Sequence, residues 1–353
     1  MIRRVLLCVV ALSSPALAVD GFVRQTAPVT PHVHLVYRPV ATDAPYEGNV
    51  EVIEQSDGLV VVDAGGSPPA GEYVVAEIRK LSAKPVKVLI YTHYHGDHNL
   101  GAGAFLKAWP RIEIVSTAAT RADMTGKPFD YIKTYAKSYA GEIDYARKQV
   151  ADPAVTGEVR AGWQQYVDVG DSIVAGYTDM KAYPATKTFT DRFSVPDSMM
   201  PVEVAFLGNA NTDGDAVVWV PSEKVLITGD VVVQPIPYAA ASFPESWIGV
   251  LRKLKAFDFA VLIPGHGEVQ HGRAYLDKLI AALSEVRAKV APLAAKGVPL
   301  EEVYKQIDLE DIKQTFAGND RWKRQLLNSF FLHAIVANAY AEATGKPIVQ
   351  GTG

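Results

Sequence analysis

The chain has 353 residues, 48% of them hydrophobic, and its 35 Lys and Arg against 39 Asp and Glu give a formal net charge of -4. That length can bury a sizeable core in one large domain or two small ones. An acidic balance with no basic run argues against a nucleic-acid partner, because phosphate binding draws on clustered Lys and Arg.

The chain opens on "MIRRVLLCVVALSSPALA", two arginines followed by an apolar run and Ala16-Leu17-Ala18. This is the order of a secretory signal, with cleavage expected after Ala18 and a periplasmic or secreted mature protein. The run is broken by Ser13, Ser14 and Pro15, and it falls short of the roughly 20 apolar residues a membrane span needs. No stable membrane anchor is expected after cleavage. Cys8 is the sole cysteine, so the mature chain can form no disulfide. Loss of Arg3 and Arg4 takes the net charge from -4 to -6.

Strand-length apolar runs then recur at 58–65, 86–93, 202–208, 216–221, 224–230 and 259–267, each stopped by Gly, Pro, Asp or His. They read as buried strands. Helical periodicity lies between them, at 70–83 with Val74, Ile78 and Leu81 on one side, and at 246–257. Such a mixture predicts sheets covered by helices. Residues 117–170 are polar, aromatic and helical in composition, which marks a long helical insertion. From Gly267 onward the chain turns helical to its end, and "NSFFLHAIVANAY" is apolar enough to pack on the body or to bury a homodimer face.

The stretch "YTHYHGDHNLGAG" at 91–103 places His93, His95, Asp97 and His98 within six positions after a strand. In an extended segment residues i and i+2 point the same way, so His93 and His95 can reach one cation. Beyond Gly96 the chain turns, and Asp97 and His98 can then reach a neighbouring one. Imidazole with carboxylate suits zinc. Two further strand ends add Asp230 in "ITGD" and His266 in "IPGHG". By contrast His32 and His34 have no acid near them in sequence, His271 is at most an outer partner of the His266 turn, and His333 reads as a packing residue.

Taken together, His93, His95, Asp97, His98, Asp230 and His266 resemble the ligand set of the metallo-β-lactamase superfamily, over roughly residues 30–270. The resemblance implies an α/β fold, a four-layer αββα sandwich with the helical insertion and C-terminal helices added. Together with the signal-like start, it divides the chain into a signal peptide (1–18), a metallo-β-lactamase-like domain (19–297) and a C-terminal helical extension (298–353). It also implies that His93 and His95 bind a first zinc, that Asp97, His98 and His266 bind a second, and that Asp230 bridges them. Asp97 and Asp230 are then the carboxylates of catalysis, Asp63 in "VVVDAGG" is a buried residue beside the site, and a hydroxide held by metal attacks a carbonyl.

One position departs from the pattern. In "GNANTDGD" Asn211 stands where the family carries a third histidine for the first zinc, and an amide oxygen is a weaker zinc donor than imidazole. Asn211 is therefore expected to be a weak ligand or a substrate contact, with one firmly held zinc or two of unequal affinity. The reading that follows is an exported zinc-dependent hydrolase of a small-molecule carbonyl substrate: a β-lactam, lactone, ester or thioester. The alternative is a non-catalytic or accessory zinc-binding protein of the same fold. Seven aromatics of the insertion, Phe129, Tyr131, Tyr135, Tyr139, Tyr145, Trp163 and Tyr166, can line a pocket or pack on the body.

Overall fold

The computed structural model describes residues 20–38 and 47–351; the expected signal peptide and Cys8 lie outside them. Strands β1 (Gln25–Pro28), β2 (Val33–Tyr37), β3 (Val50–Glu54) and β4 (Leu59–Val62) form an antiparallel meander. After helix α1 (Pro68–Leu81), β5 (Val86–Ile90) joins in parallel beside β4. Helices α2 (Gly96–Asn99) and α3 (Ala102–Ala108) lead to β6 (Glu113–Thr117), and helices α4 (Ala118–Thr125), α5 (Tyr135–Ala151) and α6 (Gly157–Gly176) separate it from β7 (Lys187–Phe189). These seven strands make one sheet in sequence order.

The second sheet holds β8 (Arg192–Val195), β9 (Val202–Phe206), β10 (Ala216–Val220), β11 (Val225–Ile227) and, after helix α7 (Pro244–Lys255), β12 (Val261–Ile263). Helices α8 (Ala274–Ala295), α9 (Leu300–Gln306), α10 (Glu310–Ala317), α11 (Arg321–Leu327) and α12 (His333–Ala343) follow, with one π-helical turn over Asn328–Leu332.

Side-chain alternation explains the layers. In β4 all four residues are buried: Leu59 and Val61 pack with Val74, Ile78 and Phe105 of the covering helices, while Val60 and Val62 face Val218, Ile227 and Ile263 of the other sheet. On the far side, Val217, Leu226 and Leu262 meet Trp247, Leu251 and Leu254 of α7. Burying a leucine fully contributes roughly 1.5–3 kcal/mol, so α7 docks on the strength of a few residues. The result is the expected αββα order.

Helix α1 starts where Ser67 accepts from the Ala70 N–H at 3.1 Å and Pro68 occupies the first turn, and Arg79 and Lys80 sit in its last turn. The insertion runs past the expected end at 170, because α6 continues to Gly176. Gly170 and Gly176 are contact points in that helix: a Cβ there would lie 2.6 Å from Ile143 and 2.2 Å from Phe22.

The apolar stripe near the C-terminus is filled within the chain. Phe331, Ile335, Val336 and Ala339 are buried in the same core as Trp247 of α7 and Leu283 of α8. Trp322 of α11 reaches the insertion, with ring centroids 4.9 Å from Trp163 and 5.8 Å from Tyr166. Among the described residues no helix is long and apolar enough to cross a membrane.

Where α4 meets the 208–215 loop, the Thr120 hydroxyl donates to the Gly214 carbonyl at 3.0 Å. Beside it, burial and the neighbouring Asp213 carboxylate push the Asp123 pKa up to about 8. An unfolded Asp titrates near 3.9, so between about pH 4 and pH 8 the folded chain holds a proton that the unfolded chain has lost. Stability must fall as pH rises through that window. Asp123→Asn is expected to remove this part of the slope: its melting temperature should gain on the parent between pH 5 and pH 8, and parallel profiles would refute it.

Candidate metal centre

His93, Tyr94 and His95 follow β5, and Asp97 and His98 lie on the single turn of α2. Asn99 fixes that turn, its side-chain amide donating to the carbonyls of Tyr94 at 2.9 Å and His95 at 2.7 Å. Asp230 sits on a short 3-10 turn after β11, and His266 in the loop after β12. All six residues named in the sequence reading thus meet at one edge of the two sheets.

Their donor atoms form two groups, His93 with His95 and Asp230, and Asp97 with His98 and His266; within each group the atoms lie within 4.8 Å of one another. His93 Nε2 is 3.0 Å from His95 Nδ1 and 3.7 Å from Asp230 Oδ2. His98 Nε2 is 3.1 Å from His266 Nε2 and 3.2 Å from Asp230 Oδ1. His266 Nε2 is 3.1 Å from Asp97 Oδ2. The two Asp230 oxygens therefore face different groups, as a bridging carboxylate would.

Asp63 sets the orientation of two of these rings. It sits at φ +60°, a left-handed conformation that Asp tolerates better than most residues. Its Oδ1 accepts from the Thr92 N–H at 2.8 Å, and its Oδ2 accepts from the Thr92 hydroxyl at 2.8 Å and from His98 Nδ1 at 2.7 Å. Having given its hydrogen to Asp63, the Thr92 hydroxyl accepts from His93 Nδ1 at 3.0 Å. Both Nδ1 atoms are thus committed as donors, and the Nε2 lone pairs of His93 and His98 point inward.

The inner surface consequently presents acceptors to acceptors. His93 and His98 are 0% exposed, Asp230 2% and His266 5%, and Asp230 Oδ1 has no hydrogen-bond partner among the described residues. Buried acceptors facing one another are costly unless a proton or a cation lies between them. Burial holds the His93 and His95 pKa values below the ordinary range, which keeps both neutral. Burial also opposes charge on His98, but Asp230, Asp97 and Asp63 together outweigh it and draw its pKa up. A divalent cation would take over that neutralising role. The donor set of imidazoles and carboxylates fits a metal of zinc's type.

Asn211 is 0% exposed, and among the described residues neither its Oδ1 nor its Nδ2 has a hydrogen-bond partner. The other histidines lie apart from the centre. His32 Nδ1 pairs with Glu223 at 2.6 Å and His34 Nε2 with Glu54 at 3.1 Å, two different carboxylates. The His271 side chain is exposed. His333 is exposed and stacks on Tyr304 with centroids 4.9 Å apart; it also lines the cavity described next, beyond the packing role expected of it.

A cavity of about 740 Å3 opens on the centre, with His95, Asp97, Asp230 and His266 at its base. The insertion supplies Tyr131, Tyr135 and Tyr139, and the C-terminal helices supply Phe330, His333 and Ala334. Only three of the seven insertion aromatics therefore face it: Phe129 is buried in the core, and Tyr145, Trp163 and Tyr166 form a ring cluster that extends to Trp322. The sequence reading missed the C-terminal wall, and it offered Tyr131 only as one of seven aromatics; the Tyr131 hydroxyl accepts from the Gly96 N–H at 2.6 Å, between two site residues.

The sequence profile of the metallo-β-lactamase superfamily matches residues 44–266, more than half of the chain and every residue of the centre. The chain belongs to the metallo-β-lactamase superfamily. Its fold is shared with TMB-1 (17% identity, TM-score 0.51, covering 74% of this chain and 98% of that one) and with the metallo-β-lactamase from Pontibacter korlensis (17%, 0.51, 74% and 99%). Among curated relatives, it is 26% identical over 280 residues to the linear primary-alkylsulfatase of Pseudomonas sp. (strain ATCC 19151), a match covering 73% of this chain and 49% of that protein. It is 24% identical over 246 residues to the 2,4-dinitroanisole O-demethylase subunit alpha of Nocardioides sp. (strain JS1661), covering 65% and 58%. The chain thus spans about half the length of these relatives.

Proposed function

We propose that the chain is a metal-dependent hydrolase that cleaves a neutral ester, thioester or lactone in the 740 Å3 cavity. The observation that carries this is the convergence of lone pairs from His93, His95, His98, His266, Asp97 and Asp230, four of these residues lining that cavity. When bound there, a divalent metal supplies an activated water near neutral pH and polarises the bond to be cleaved.

The tighter ion belongs to Asp97, His98 and His266, and a weaker one to His93, His95 and Asp230, because Asn211 occupies the place of the family's third histidine. Zinc is the metal this donor set favours. The signal-like residues 1–18 support export to the periplasm or beyond.

The charge of the cavity wall favours one substrate class. None of the described residues lining the cavity is Lys or Arg, whereas Tyr94, Tyr131, Tyr135, Tyr139, Tyr238 and Phe330 all contribute. Rings of this kind suit an apolar or aromatic flank, and no side-chain cation awaits an anionic group remote from the metals. A neutral carbonyl compound meets those conditions better than a sulfate ester or a β-lactam with its carboxylate.

The test is a panel of aryl esters, lactones, chromogenic β-lactams and alkyl sulfates, each with and without chelator. Chelator-sensitive turnover of the neutral esters or lactones is expected. Turnover of alkyl sulfates alone would move the assignment to the chemistry named for the Pseudomonas relative, and tight metal with no turnover would favour a non-catalytic zinc protein. Phe330→Ala, which opens the C-terminal wall, is expected to raise KM about tenfold for aryl esters with kcat little changed, the mark of lost uniform binding. An unchanged KM would remove that wall from substrate recognition.

A further inference from the structure

Three consecutive residues entering β3 touch all the loops that carry the tighter donor group. The Glu47 carboxylate accepts from the Gly66 N–H at 2.7 Å and pairs with Arg24 at 2.5 Å, both side chains 0% exposed. The Gly48 N–H donates to the Asp97 carbonyl at 3.2 Å. Asn49 donates from its backbone to the Gly265 carbonyl at 2.7 Å, and from its side-chain amide to the carbonyls of Pro264 at 2.9 Å and Gly267 at 3.0 Å.

Asparagine has three N–H hydrogens in all, one on the backbone and two on the side chain. Asn49 spends all three on the turn that holds His266, bonding the carbonyls on both sides of it. Gly48 fills a different need. A Cβ at this position would lie 2.5 Å from His98 Cε1 and 2.6 Å from His98 Nδ1, so the backbone itself is the wall against which the imidazole rests.

Resting on the metal reading above, we propose that Gly48 and Asn49 are positioning residues, a clamp that sets His266 and His98 for the tighter ion. Neither touches the reacting atoms. Asn49 acts through the backbone of the His266 turn, and Gly48 through the ring face of His98. The weaker group is reached by neither, since His93 and His95 hang from β5 and Asp230 from β11.

This selectivity separates the clamp from a general structural role. Zinc affinities of the full chain, Asn49→Ala and Gly48→Ala are to be measured by competition with a chromophoric chelator. The parent should bind two zinc ions of unequal affinity. In both variants the tighter affinity should fall on the order of tenfold, the size expected for losing an outer-shell partner, with the weaker affinity within about twofold of the parent. If Asn49→Ala does not fold, Gly48→Ala carries the test, because it keeps every hydrogen bond of Asn49. Unchanged tight binding in the variants, or equal losses at both groups, overturns the clamp alone. A parent that binds no zinc overturns the metal reading, and the clamp with it.

Discussion

Asp63→Asn is expected to lose metal from both donor groups although Asp63 belongs to neither. An amide in place of the carboxylate removes one acceptor from a site where Asp63 receives the Thr92 N–H, the Thr92 hydroxyl and His98 Nδ1. The His98 ring would then be free to carry its hydrogen on Nε2, the atom 3.2 Å from Asp230. A hydrogen there excludes a metal. Through Thr92 the same change loosens His93, whose Nδ1 is 3.0 Å from the hydroxyl. Loss of such an outer partner costs about 10–100-fold in metal affinity, and here two rings are affected. Chelator competition should place zinc affinity at least tenfold below the parent in both phases; parental affinity in either phase would show that its histidine is oriented by something else.

The larger effect is expected from Asp230→Ala. Asp230 faces His93 through one oxygen and His98 and His266 through the other, so its removal strips both groups of a donor. Turnover of the best ester should fall by roughly 10^3-fold or more, about 4 kcal/mol at 1.36 kcal/mol per decade. Asp258→Ala provides the contrast. Asp258 also follows the second sheet's elements but pairs with Lys224 at the surface, at 2.7 Å and with an 83% exposed side chain, and its loss should leave turnover unchanged. Equal activity of Asp230→Ala and the parent would take the bridge out of the chemistry.

Much of this arrangement was legible in the residues themselves. The buried strands announced themselves because β4, β11 and β12 are covered on both faces and so read as unbroken Val, Ile and Leu. Strand β3, "VEVIE", lies between sheet neighbours with charged residues three positions apart, Glu51 buried at 2% and Glu54, and such a mixture carries no clear period. The six donors were readable because each ends a strand at a glycine-rich turn.

The cavity's walls were not readable in the same way. Tyr131, Tyr135 and Tyr139 face the cavity while Tyr145 and Trp163 pack elsewhere, and helical spacing alone cannot choose between those faces. The C-terminal wall depends on a π-helical turn at Asn328–Leu332, which places Ser329 and Phe330 at the cavity while Phe331 and Leu332 stay in the core. Extra residues in a helical turn leave no mark in a periodic pattern. Asn49 was hidden for another reason. Its three hydrogen bonds reach 215 to 218 positions along the chain, and nothing local distinguishes it from a turn asparagine.

The most direct measurement is zinc per chain on the purified protein, by elemental analysis after dialysis at a series of free zinc concentrations. Two steps are expected, one ion retained at low free zinc and a second entering as zinc is raised, with both lost on Asp230→Ala. A chain that carries no zinc at any concentration, or one whose zinc content ignores Asp230→Ala, would contradict the assignment of this centre to metal.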